Sequence, residues 1–102
     1  MQEAPAGLGT VDFTTSPGAL TARLTGSTLR ADEHSLAILL VDASTGRPVS
    51  LDYGLKTTKE AATDGTAAAV TLAFDPAAVP HAARAYLMVD TYPAAMATLA
   101  LP

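Results

Sequence analysis

"SLAILLVDASTGRPV", residues 35–49, decides the fold. Its first half is six consecutive apolar residues, Leu36–Val41, and its second half is a run of turn formers: Asp42, Ser44, Gly46 and Pro48. A helix through Leu29, Leu36 and Leu40 fits the spacing. Yet an apolar run bounded by "DEHS" and "DAST" is strand-sized, whereas a helix needs about ten residues or more. The run reads as a central strand covered on both faces. Beyond the turn, "VSLDYGL" alternates Val49, Leu51, Tyr53 and Leu55 against Ser50, Asp52 and Gly54. Two such segments around a turn read as a hairpin.

The same period of two recurs along the chain. "TVDFT" places Val11 and Phe13 on one face, and "ALTARLTG" places Leu20, Ala22 and Leu24 on one face, with "SPG" at 16–18 as the turn between them. "AAVTLAF" sets Val70, Leu72 and Phe74 inward. "RAYLMVDTY" is apolar on both faces and reads as a second central strand. "MATLAL" supplies a last strand with Ala97, Leu99 and Leu101 on one face after a turn at Pro93. A short helix over 93–100, started by Pro93, is its competitor. "STLRADEHS" is open between a loop and a short helical turn. "KTTKEAATDGT" is polar, with Asp64–Gly65 as a tight turn. Pro76 and Pro80 in "DPAAVPHAA" forbid an interior helix or central strand and make that segment a surface crossing. About seven short strands separated by turns predict an all-β fold, an immunoglobulin-like antiparallel β-sandwich. Its expected core is Leu20, Leu24, Ile38, Leu40, Val49, Leu51, Val70, Leu72, Leu87, Val89 and Leu99.

At 102 residues the chain is one domain by size, with residues 1–9 reading as a Pro/Ala/Gly linker and 10–102 as the sandwich. The linker carries neither a basic nor an apolar leader pattern. The apolar fraction of 49% rests largely on alanine, so core volume must come from Leu, Val, Ile, Met and a few rings. A net charge of −4 with six scattered Lys and Arg argues against nucleic acid and against an anionic membrane surface. No apolar run approaches the roughly 18 residues that span a bilayer, so no membrane insertion is expected. The absence of cysteine removes disulfides, thiolate metal sites and thiol nucleophiles.

Four constellations could carry chemistry. His34 stands beside Asp32 and Glu33, but adjacent residues rarely converge on one ion. His81 could act as a base supported by Asp75 or Asp90, yet no serine sits in a GxSxG elbow. Asp42, Asp52 and Asp90 could pool oxygens around calcium, although no DxDxDG loop is present. Tyr53, Tyr86 and Tyr92 are the only large amphipathic rings for a carbohydrate, and only Tyr92 is expected to be exposed. Tyr86 reads as a structural latch, its hydroxyl bonding backbone near the Pro76–Pro80 crossing in the manner of a tyrosine corner. The expectation is therefore no catalytic residue, no cofactor and no intrinsic metal site.

"LLVDASTGRPVSLDY" followed by "VTLAFDPAAVPHAARAYLMVD" resembles the bacterial immunoglobulin-like domains of surface-layer and secreted proteins. Asp42, Gly46 and Val49 fit that family's hairpin, Pro76 and Val79 its crossing, and Tyr86 and Val89 its next strand, over roughly residues 36–92. The resemblance implies a non-catalytic, extracytoplasmic module: a spacer, an adhesion unit or an accessory domain. Its partners would be other domains of the same polypeptide or another protein. The alternative is a ligand-binding module with calcium or a carbohydrate at a loop pole.

Overall fold

A computed structural model describes residues 7–49 and 56–101. Among the described residues seven strands run in chain order: β1 (Thr10–Ser16), β2 (Ala19–Thr25), β3 (Leu36–Asp42), β4 (Lys56–Ala61), β5 (Ala67–Ala73), β6 (Ala82–Val89) and β7 (Tyr92–Ala100). All pairings are antiparallel and form two sheets, β1-β2-β5-β4 and β3-β6-β7. β3 packs across onto β5 and β4, which makes the pair of sheets a sandwich. This strand order is the one in which an immunoglobulin constant-type domain sets A-B-E-D against C-F-G. Among the described residues no helix is long and apolar enough to cross a membrane.

Alternation builds the core. On β2 the buried set is Leu20, Ala22 and Leu24; on β3, Leu36, Ile38 and Leu40, with Val41 buried out of phase; on β6, Ala83, Ala85, Leu87 and Val89. β5 adds Val70 and Leu72, and Phe74 follows it. No polar side chain is buried among the described residues. Of the expected core, Val49 and Leu99 are only partly buried against this cluster, and Leu51 lies outside the described residues.

Turn chemistry sets the registers. Pro17 and Gly18 close the β1–β2 hairpin, where Ser16 faces Ala19 and Gly18 takes φ +82°. Proline then glycine at positive φ is the type II pairing. After β3 the chain folds back as expected: Gly46 N–H donates to Asp42 O (2.8 Å) and Val49 N–H to Leu40 O (2.8 Å). The Asp64–Gly65 turn is present too, with Gly65 N–H donating to Ala62 O at 2.9 Å. The crossing after β5 is a 3-10 turn over Pro76–Ala78, and Asp75 caps it by accepting from Ala77 N at 3.0 Å.

Several readings of the sequence need correction. The fourth strand lies at Lys56–Ala61, within the stretch read as polar connection; Leu51, Tyr53 and Leu55 of the expected strand lie outside the described residues. β4 tolerates that polarity because it is the edge of its sheet. Among the described residues β3 ends its sheet order, with one full strand partner, β6, and on its other side the short return at Pro48–Val49. Two readings need none: residues 28–35, left open, form a loop with Arg30 bridged to Thr66, and the expected last strand is present in place of the competing helix over 93–100. The last turn falls at Asp90–Thr91, before Pro93, because Val89 pairs with Tyr92. Leu8, at the end of the expected linker, is buried in the core, and Thr28 N–H donates to Gly7 O at 2.8 Å. Tyr86 has the wrong parity for a tyrosine corner, whose ring stands two residues before an inward-facing side chain. It shares the outward face with Leu39 and Met96, its cross-strand partners, and makes no hydrogen bond to the Pro76–Pro80 crossing.

Candidate functional site

The tightest polar cluster among the described residues surrounds the β6–β7 turn. Asp90 and Thr91 form a two-residue connection with φ of +50° and +70°. Both central residues at positive φ make a type I′ turn, which matches the twist of a hairpin but prefers Asn-Gly or Asp-Gly. A β-branched threonine in that conformation stores strain, on the order of 1–3 kcal/mol. Cross-links hold it in place. Asp90 N–H donates to Ser35 O (2.8 Å), Ser35 N–H to Asp90 Oδ1 (2.9 Å), and His34 Nδ1 to Asp90 Oδ2 (2.6 Å). From the other sheet, Lys59 Nζ donates to Ala31 O (2.5 Å) and His34 O (3.1 Å). Lys59 can reach because it pairs with Val70 and so shares that residue's inward face at the sheet edge. Three segments distant in sequence are thus clasped at one end of the sandwich.

Chemically, this is an imidazole oriented by a carboxylate, which is the supporting half of an acid–base pair. Among the described residues, no serine or threonine hydroxyl bonds to the imidazole. Beside the turn lies an open groove of about 320 Å³, bordered by Ser35, Leu39, Met88 and Thr91. A second groove of about 350 Å³ lies near Arg30 and Lys59. Both cations there are already engaged, Arg30 with Asp64 O at 2.6 Å and Lys59 as above.

The groupings expected from the sequence do not assemble. His34 turns to Asp90, while Asp32 stands 3.8 Å from Arg30 Nε, so "DEH" does not converge. No cluster of three metal-type side chains occurs among the described residues. His81 is exposed just before β6 and Asp90 just after it, roughly 25–30 Å apart by strand rise. Of the two carboxylates considered for His81, Asp90 is engaged by His34 and Asp75 by the Ala77 amide. Asp42 pairs at the Ala83 end of β6 and Leu36 at the Val89 end, which leaves Asp42 and Asp90 about 20 Å apart. Asp52 and Tyr53 lie outside the described residues. Tyr92 is exposed, at 59%. The His34–Asp90 pair, separated by 56 positions, had no local signal. No family model, curated protein or solved structure matches the chain.

Three aspartates share one electrostatic pattern. The Ser44 hydroxyl and amide hold the Asp42 carboxyl below its ordinary value, and those of Thr66 do the same for Asp64. The His34 hydrogen bond, then the Ser35 amide, lowers Asp90. A carboxyl whose folded pKa is depressed adds stability above its unfolded pKa and loses it as pH falls through the folded value. Urea midpoints should therefore fall on acidification below about pH 4. Asp90→Asn should be less stable at neutral pH and show a shallower acid loss. Parallel pH profiles for the two proteins would refute this role for Asp90.

Proposed function

We propose that the domain is a non-catalytic structural or interaction module: a spacer, adhesion or accessory unit of a secreted or surface-exposed protein. One observation carries this reading. Four carboxylates at strand ends and turns are spent on closing the fold, Asp42 on Ser44, Asp64 on Thr66, Asp75 on Ala77 and Asp90 on His34 and Ser35. Side chains committed to their own backbone build a rigid scaffold and leave few polar groups convergent on a ligand. The resemblance to bacterial immunoglobulin-like domains over residues 36–92 points the same way and is the support for an extracytoplasmic setting.

Melting with excess calcium and with chelator tests the reading against its calcium-binding rival. The two curves should coincide. Binding confined to the native state adds RT ln(1 + [L]/Kd), about 2.7 kcal/mol at a hundredfold excess. A shift of that order would replace the scaffold with a calcium module.

A further inference from the structure

The strand edges of this sandwich are not equally guarded. β1 carries Asp12, and β4 carries Lys59 and Glu60. At the far end of β3, the returning chain at Pro48 and Val49 takes up bonds to Val41 and Leu40. β7 differs: it is nine residues long, has β6 as its one strand partner among the described residues, and bears no charge. The uncharged run extends from Thr91 to Pro102. Charges, prolines and bulges are the usual guards of a sheet edge. Here Pro93 and the register shift opposite Leu87 and Met88 guard only the start of the strand. From Ala94 to Ala100, alternate residues direct backbone N–H and C=O groups away from β6.

A second observation falls on the same strand. Tyr92 and Met96, 59% and 53% exposed, are the large apolar side chains left in solvent among the described residues. Met96 also ends a cross-strand row, Leu39–Tyr86–Met96, on the outward face.

We infer that β7 is a self-association edge, and that it pairs antiparallel with β7 of a second copy about a two-fold axis at Met96. An antiparallel two-fold contact is self-complementary, so one unguarded strand supplies both sides. Centred on Met96, the pairing sets Ala95 opposite the partner's Ala97 and Ala94 opposite the partner's Thr98, and it stops short of Tyr92, which lies beyond the register shift. The row Leu39–Tyr86–Met96 then continues into its own copy, and the two three-stranded sheets become one of six. Charge selects this contact. In a chain of net charge −4, copies repel where acids meet, and β7 holds none. The inference rests on the edge alone and stands apart from the spacer reading.

Sedimentation equilibrium from micromolar to millimolar concentration, with amide hydrogen exchange, tests it. The wild type should rise from 10.3 kDa to twice that mass, and alternate β7 amides should gain protection as it does. Met96→Lys, which sets two ammonium groups face to face, and Thr98→Lys should stay monomeric with unchanged circular dichroism. Thr14→Lys, on the opposite sheet, should dimerise as the wild type does. A wild type that remains monomeric at millimolar concentration overturns the inference. So does a dimer that survives both lysines, or one that forms without added protection of β7.

Discussion

Leu87→Ala should cost about 2–5 kcal/mol, toward the upper end of that range. Leu87 is fully buried, and its same-face neighbours on β6 are the fully buried Ala83 and Ala85 and the buried, χ1-stiff Val89. Alanines have no side-chain freedom with which to fill a void, so the cavity would stay open and the loss would exceed the transfer term alone. A domain of this length has about 5–15 kcal/mol in total, which leaves the variant marginal. Tyr86, one residue earlier, provides the internal control. It lies on the outward face, so Tyr86→Phe should stay within about 0.5 kcal/mol. Urea midpoints measure both. If Tyr86→Phe proved the costlier change, the assignment of the two faces of β6 would be reversed.

Gly9→Ala should be the most damaging of the glycine substitutions at a turn. Gly9 has φ +77°, and a Cβ there would meet Thr25 O at 2.4 Å, Gly26 C at 2.9 Å and Ser27 N at 2.9 Å. Left-handed backbone alone costs an L-residue about 1–2 kcal/mol. The clash adds to it, because all three obstacles are main chain and cannot rotate away. Gly26 separates the two terms: its φ is +74°, but nothing lies within 4 Å of its Cβ position. Gly26→Ala should therefore show the conformational cost alone, about 1–2 kcal/mol, and Gly9→Ala distinctly more. Equal melting temperatures for the two variants would mean that the chain before β1 does not pack against the β2 end.

That contact also shows where the sequence stops being legible. Strand existence is readable wherever one face is dry and the other wet, as on β1, β2 and β5. Gly7, Leu8 and Gly9 offer no period, so a single buried leucine among small residues looks like linker. β3 looks central because both of its faces are apolar. Part of that apolarity belongs instead to the outward row through Leu39 and Tyr86. β4 escapes notice because an edge strand can be polar, and hydrophobic alternation is blind to it. The Asp90–Thr91 turn escapes too, because threonine is a poor residue for its backbone and the nearby proline draws the reading to Pro93. The candidate site is least legible of all: His34 and Asp90 meet only after β3 and β6 have paired, and no spacing rule spans that separation. The scaffold role of the loop aspartates is visible at Asp42 and Asp64, where the partner sits two residues away.

The pairing order β1-β2-β5-β4 against β3-β6-β7 also sets how the chain must assemble in time. Two hairpins, β1–β2 and β6–β7, close over two-residue turns and can form within microseconds. Neither sheet can be completed from an unbroken length of chain. β2 needs β5, joining Leu20 to Leu72, and β6 needs β3, joining Leu87 to Ile38. Both joins span roughly fifty residues, and each search runs against loop-closure entropy. Folding should therefore take milliseconds to seconds, typical of high contact order. During that interval the β6–β7 hairpin stands ready-made, with its uncharged outer strand exposed.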